Sequence, residues 1–181
     1  MARQIKNILV GVGTIELSGE LDPDGVPATA LADMGFTIDG VEITLEPDIV
    51  DIIVDQLGDA AKLIEQSIKV MIKSTLAEAT LSNLAIAWGR PDAAFTANGL
   101  GGTLELGVNP TGKPTERQLR FTGKSPEGFD RVYTCNRAVS VAASGHSYKR
   151  GEATVFPVEF RILPDASATG QEYGTIVDNV S

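Results

Sequence analysis

Cysteine, histidine and tryptophan each occur only once in this chain of 181 residues. Because Cys135 has no partner, the chain can form neither an internal disulfide nor a cysteine-based metal site, and this usage fits a reducing cytoplasm. The lone histidine, His146, lies in a Ser-Gly-His-Ser segment without the partners of a zinc site or the Gly-x-Ser-x-Gly turn of a hydrolase. We therefore predict no metal, no cofactor and no catalytic residue, and hence no enzyme.

Nucleotide-binding motifs are incomplete. Residues 107–113 match the first part of a phosphate-binding P-loop, but Pro114 stands where the motif needs Ser or Thr to bind Mg²⁺. The Gly11-Val12-Gly13 segment lacks the third glycine of a dinucleotide-binding turn. A loop between two strands is the better interpretation of residues 107–113.

Basic residues are outnumbered, since 15 Lys and Arg stand against 24 Asp and Glu, for a net charge of −9. DNA-binding proteins neutralise phosphates with Lys and Arg, so this balance suits a surface that borders DNA without holding it. Simple solubility is the other explanation. The apolar run at residues 8–12 is short and soon followed by Glu16, so neither a signal peptide nor a membrane span is expected.

Strand signals are plentiful. The 19 glycines and 9 prolines favour many turns, and the length fits a single domain over residues 1–181 with a flexible tail at about 164–181. The Asp39-Gly40 pair predicts a hairpin turn, and Asp59 predicts a cap for one helical turn over residues 60–65. Alternating or β-branched segments predict strands at residues 8–17, 36–38, 41–46, 49–54, 67–75, 102–108, 117–122, 129–143, 152–163 and 175–177.

One segment within this series is acidic and apolar at once. Aspartates at 48, 51 and 55 would suit one face of a helix, but the β-branched run at residues 49–54 disfavours helix and favours strand. Pro47 cannot donate to a strand ladder, so we expect it at an edge, bend or bulge.

One α-helix is predicted at about residues 76–88. Thr75 and Glu78 fit a capping box, and Gly89 is placed to end the helix. Leucines and Trp88 then recur at the spacing of one helix face, which is typical of packing on a sheet. Together the signals predict a mainly β fold, a β-sandwich or partly closed β-barrel with one flanking helix and an extended arm.

Two lysines interrupt this acidic region. Lys69 and Lys73 could face Glu42, Glu46 or Asp55 across paired strands, where exposed pairs help to fix the register. A solvated face and a face shared between subunits explain them about equally well.

The centre of the chain resembles the major tail tube proteins of phages with long, non-contractile tails. The resemblance lies in residues 41–47, 49–56 and 69–89, and in the rest of the chain only in its general β character. It implies a domain related to the tube proteins of contractile tails and type VI secretion. Such subunits form six-membered rings that stack head to tail, and their inner strands merge into a barrel around a lumen for DNA.

The resemblance also implies roles for particular residues. An arm at about 47–66 would reach an adjacent subunit, and its candidate contact residues are Pro47, Ile49, Val50, Ile52, Ile53, Leu57, Leu63 and Ile64. Candidates for the lumen or for contacts between strands are Glu42, Thr44, Glu46, Asp51, Asp55, Lys69 and Lys73. The lysines depart from a purely acidic lumen.

The implied partners are further copies of this chain and the tape measure, tail tip and terminator proteins. DNA would pass through without specific binding, no membrane would be involved, and the protein would reside in the virion after assembly in the host cytoplasm. The alternatives are another phage or secretion-system component (a tail terminator, decoration or secretion tube protein) and a β-barrel that binds a small ligand.

Overall fold

The computed structural model describes residues 13–53, 60–99, 101–142, 145, 148, 150–151 and 153–179. Over these residues the chain is mainly β with one α-helix, which confirms the predicted fold class. The elements are β1 (Thr14–Glu20), β2 (Ala32–Asp33), β3 (Thr37–Ile53), β4 (Ala60–Leu76), α1 (Leu81–Ala87), β5 (Phe95–Asn98), β6 (Gly101–Leu104), β7 (Glu116–Lys124), β8 (Asp130–Ser140), β9 (Phe156–Ile162) and β10 (Thr175–Asn179).

Eight strands form one antiparallel sheet in the order β2-β1-β7-β8-β9-β4-β3, with β10 paired to the first half of β8. The short strands β5 and β6 form a separate hairpin. The large sheet is open rather than closed into a barrel. Its described part therefore ends at the two-residue β2 on one side and at the 17-residue β3 on the other.

The core lies between one face of the sheet and α1, because strand alternation sends every second side chain to that face. Ile15, Ile72 and Leu119 are almost completely buried there, and each such side chain stabilises the fold by about 1.5–3 kcal/mol. The buried cluster consists of Ile15, Leu17, Met34, Ile72, Leu76, Leu84, Ala87, Leu119, Cys135, Ala138, Phe156, Val158, Phe160 and Ile162.

The helix starts later than predicted. Thr75 and Leu76 remain in β4, where they pair with β9, so the predicted capping box at Thr75 does not form. The cap is Thr80, whose hydroxyl accepts a hydrogen bond from the Asn83 amide at 3.1 Å. Glu78 instead accepts a hydrogen bond from the Phe36 amide at 3.2 Å. Pairing with two neighbouring strands thus outweighs a local capping signal.

The predicted hairpin turn at Asp39-Gly40 is wrong. Both residues lie inside β3 as a bulge, since Ile38 pairs with Thr75 and Val41 already pairs with Ser74. Their φ angles of 62° and 77° are those of a turn dipeptide, and the Ser74 hydroxyl donates to the Gly40 carbonyl at 2.8 Å. The two residues thus have turn-like backbone angles, but the chain continues in the same direction.

Other boundaries also shift. Residues 60–65, predicted as a helical turn, belong to β4. Residues 105–108 of the strand predicted at 102–108 lie outside β6. Residues 8–12 of the first predicted strand lie outside the described residues. The last predicted strand is confirmed as β10, so the tail from residue 164 includes a paired strand. Pro47 lies in the edge strand β3, as predicted.

Candidate functional site: the β3–β4 hairpin and the outer face of the sheet

β3 and β4 pair from Thr37–Leu76 to Ile53–Ala60. At ~3.3 Å per residue, each 17-residue strand is about 56 Å long. β9 pairs with β4 only over Val70–Leu76, so the remainder of the hairpin extends beyond its last neighbour in the described sheet. Residues 47–53 and 60–66 of the predicted arm at about 47–66 lie in this projecting part, and residues 54–59 lie outside the described residues.

The base of the hairpin belongs to the core. Val41, Ile43 and Val70 pack against the buried cluster, and Ile72, opposite Ile43, is 1% exposed. Of the two faces of the 41–46 segment, the one that carries Val41 and Ile43 therefore meets the protein interior. The face that bears the intervening residues points away from α1, and we call this side of the sheet the outer face.

The outer face gathers five of the predicted lumen candidates. Glu42 lies opposite Lys73 and Glu46 lies opposite Lys69, while Thr44 pairs with Met71. Lys69 Nζ is 3.5 Å from Glu46 Oε2, and Lys73 Nζ is 3.5 Å from Glu159 Oε1 on β9. These side chains are half-exposed, so each pair contributes at most about 1 kcal/mol.

Ion pairs continue across the outer face toward β1. Arg120 donates two hydrogen bonds to Glu16, at 2.5 and 2.7 Å, and Arg137 donates two to Glu116, at 2.8 and 2.9 Å. The Arg120 hydrogen bond lowers the pKa of Glu16 below its usual value, and the same contact raises the pKa of Arg120. Opposite charges across the strands therefore leave these cations already neutralised.

Beyond the Asp48–Ser67 pair a bulge shifts the register, and we call residues 49–53 and 60–66 the hairpin tip. Val50 pairs with Ile64 on one face of the tip, and Leu63 projects from the opposite face. The exposed apolar side chains of the tip are Ile49, Val50, Ile52, Leu63 and Ile64. Leu63 and Ile49, 62% and 51% exposed, share one face, and Val50 and Ile64, 38% and 39% exposed, share the other. The tip is therefore apolar on both faces.

The other predicted site residues lie outside the outer-face cluster or outside the described residues. Asp51 pairs with Leu63 in the tip rather than joining the outer-face cluster. Pro47 pairs with Ile68 just before the bulge, and the backbone of Ile53 lies in β3. Asp55 and Leu57 lie outside the described residues.

A second surface was not predicted from the sequence. Residues 88–90, 106–109 and 112–114 line an open groove of about 610 Å³ at the end of α1. Leu106 and Val108 on its rim are 72% and 91% exposed. The only signal in the sequence was two apolar residues in a segment rich in glycine and proline.

The described residues contain no group of three His, Cys, Asp or Glu side chains placed to hold a metal ion. Burial raises the pKa of Cys135 to about 11, so its thiol stays protonated at neutral pH. Among the helices that the structure describes, none combines the length and apolar character needed to cross a membrane.

Comparisons with known proteins found similar chains in solved structures of three particles. The chain resembles one from the tail of an empty gene transfer agent particle, refined with helical C6 symmetry, at 11% identity and TM-score 0.46, covering 99% of this chain and 100% of that one. A chain of the native gene transfer agent virion gives 9% identity and TM-score 0.45, covering 99% and 100%. A chain of the six-fold symmetrised anti-feeding prophage baseplate gives 11% identity and TM-score 0.48, covering 98% of each.

These structures are of tail, virion and baseplate particles. At such identities the likeness is one of fold alone. No family model matches the chain, and no curated protein matches it.

Proposed function

We propose that this protein is the structural subunit of a phage-type tail tube. Copies of the chain assemble into six-membered rings, and the rings stack into a conduit through which DNA is delivered to the host cell. The proposal joins the resemblance of residues 41–47, 49–56 and 69–89 to tail tube proteins with one property of the fold, the projecting β3–β4 hairpin.

The hairpin tip carries the proposal. A two-stranded ribbon is only marginally stable alone in water, and this one exposes Ile49, Val50, Ile52, Leu63 and Ile64 on its two faces. Contiguous exposed apolar surface of this kind marks an interaction site. A neighbouring subunit that covered both faces would remove these side chains from water and support the ribbon.

The free edge of β3 supports the same conclusion. Among the described strands, β3 pairs only with β4, which leaves the opposite edge of a 17-residue strand open. Long open edges promote uncontrolled pairing, and closing them within a ring removes the hazard. A head-to-tail interface closes into a ring when its rotation permits.

The outer face suits a channel for DNA. Phosphates are held by free Lys and Arg, with counterion release, whereas Lys69, Lys73, Arg120 and Arg137 each lie beside a carboxylate. The net charge of −9 adds repulsion at long range. We place Glu42, Thr44, Glu46, Lys69 and Lys73 toward the lumen.

The protein would then reside in the virion after assembly in the host cytoplasm. Its partners would be further copies of itself and the tape measure, tail tip and terminator proteins. A small-ligand barrel is disfavoured because the sheet does not close around a cavity.

Light scattering after size-exclusion chromatography, with negative-stain electron microscopy, tests the proposal. We expect the protein at high concentration to give particles of six subunit masses or multiples of this mass, seen as rings with a central hole or as tubes. A strictly monomeric chain at every concentration, also in the presence of tail tip proteins, would refute the proposal.

Two variants sharpen this experiment. Replacing Ile49 and Leu63 together with Ser should abolish assembly while leaving the circular dichroism spectrum unchanged, because neither side chain belongs to the core. The matched control is Val26→Ser, which alters an apolar residue that is 58% exposed but lies outside the hairpin, and we expect it to assemble normally.

A further inference from the structure

The groove and the hairpin tip lie at opposite ends of the sheet. The tip projects past Ile162, the last residue of β9, in the direction in which β8 runs toward Asp130 and β7 toward Lys124. The groove adjoins the other end, since its last lining residue, Pro114, comes just before β7. Strands β8 and β9 also separate β7 from β4, so the tip and groove of one copy are far apart.

The two surfaces match chemically. The groove offers Trp88, Leu106 and Val108 together with two cations, Arg90 and Lys113, which are the charged residues among those that line it. Arg90 donates to the Gly107 carbonyl, which ties the end of α1 to the exposed apolar rim.

The tip has the opposite charge. Around its exposed apolar side chains lie Asp48, Asp51 and Glu65, against the single base Lys62. In the described residues at and beside the tip the balance is therefore three acids to one base, or −2. Charge complementarity of this kind selects partner and orientation in an interface.

We propose that the groove of one subunit receives the β3–β4 hairpin tip of the next copy of this chain. The inference rests on the proposed function and specifies which surface accepts the arm. A projection at one end of the sheet and its receptor at the other give a head-to-tail contact, the type that repeats along a tube.

Site-directed cross-linking tests the contact. Ile52→Cys protein is mixed with Val108→Cys protein under assembly conditions and treated with a short bismaleimide, while the buried Cys135, with its raised pKa, stays unreactive. We expect covalent dimers from this mixture. Val26→Cys, which is exposed and is not among the residues that line the groove, is the matched partner for the control mixture with Ile52→Cys and should give none.

Reversing the charges of Lys113 and Asp51 gives a second test, in which the concentration needed for assembly is measured. Lys113→Glu should raise the concentration needed for assembly by about two- to fivefold, the range of an exposed charge pair. Asp51→Lys added to Lys113→Glu should restore it. Lys124→Glu, the same change at the far end of β7, should have no such effect that Asp51→Lys reverses.

The outcomes separate the two proposals. Rings or tubes that form without a link between positions 52 and 108, or with an equal link to position 26, would overturn the groove contact and leave the tail tube proposal standing. Tubes in which position 108 links only to other tail proteins would assign the groove to them instead. Absence of any assembly would overturn both proposals.

Discussion

Arg117 shows how a single residue joins distant parts of this fold. Only 6% of it is exposed, and it donates hydrogen bonds to the carbonyls of Ser18 and Arg90 at 3.2 and 3.1 Å. Its ion pair with Asp92, at 2.6 Å, links β7 to the 3-10 turn that follows α1. A buried charge is tolerated only when it is paired and hydrogen-bonded, so Arg117 depends on Asp92.

Replacing Asp92 with Ala should therefore lower the free energy of unfolding by about 1.5–3 kcal/mol, the range for hydrogen bonds to charged groups. Asp92 also accepts a hydrogen bond from the Glu20 amide at 2.8 Å, which would be lost as well. Urea denaturation measures the change. Asp130→Ala, which removes the exposed partner of Lys124, should cost less than about 1 kcal/mol, and equal losses would contradict the prediction.

The Glu16–Arg120 pair predicts a dependence of stability on pH. The hydrogen bond from Arg120 lowers the folded-state pKa of Glu16 below 4.5, so the pair stabilises the fold fully above pH 4.5 and loses this effect as pH falls through the folded-state pKa. We expect Glu16→Gln to be less stable than the natural protein at pH 7, and the difference to vanish in acid. Urea titrations at several pH values measure it, and a difference that grows toward low pH would contradict it.

At the scale of elements, long-range pairing decided the boundaries. Alternation predicted strands at residues 41–46 and 67–75, and both lie within β3 and β4. The hairpin turn predicted at Asp39-Gly40 and the helix cap predicted at Thr75 do not form. In both places the strand pairing continues past the predicted boundary. The helix has the predicted apolar face, but its N-cap is Thr80, the first threonine beyond the end of β4.

Thr80→Ala should thus destabilise the protein by about 1 kcal/mol, the typical loss of an N-cap hydrogen bond. Thr80→Ser, which keeps the hydroxyl that accepts from the Asn83 amide, is the control and should stay close to the natural protein. Thermal unfolding followed by circular dichroism compares the two. Equal melting temperatures for the Ala and Ser variants would show that the cap contributes nothing.

At the scale of the whole molecule, the positions of the charged side chains matter as well as their number. Lys69, Lys73, Arg120 and Arg137 of the outer face lie beside carboxylates. The acidic residues at and beside the tip outnumber its single lysine among the described residues. On the described outer face, these four cations are therefore not free to bind phosphates. The net charge of the chain does not show which surface is neutralised in this way.

We therefore expect no binding of duplex DNA at micromolar protein and ~0.1 M salt, since non-specific affinity comes from free cations. The matched variant is Glu42→Lys with Glu46→Lys, which changes the charge of the outer face by four units. This variant should bind DNA in a manner that weakens with salt. Fluorescence anisotropy measures both proteins, and salt-sensitive binding by the natural protein would contradict the prediction.

The sequence by itself determined the mainly β class, the helix face and the alternation that separates Val41 and Ile43 from Glu42 and Thr44, because these depend on local periodicity. It also indicated the apolar, acidic arm. Only the tertiary structure decided the order of the strands, the burial of Arg117 against Asp92, and the opposite placement of hairpin tip and groove. These depend on contacts between residues far apart in the chain, which no local pattern encodes.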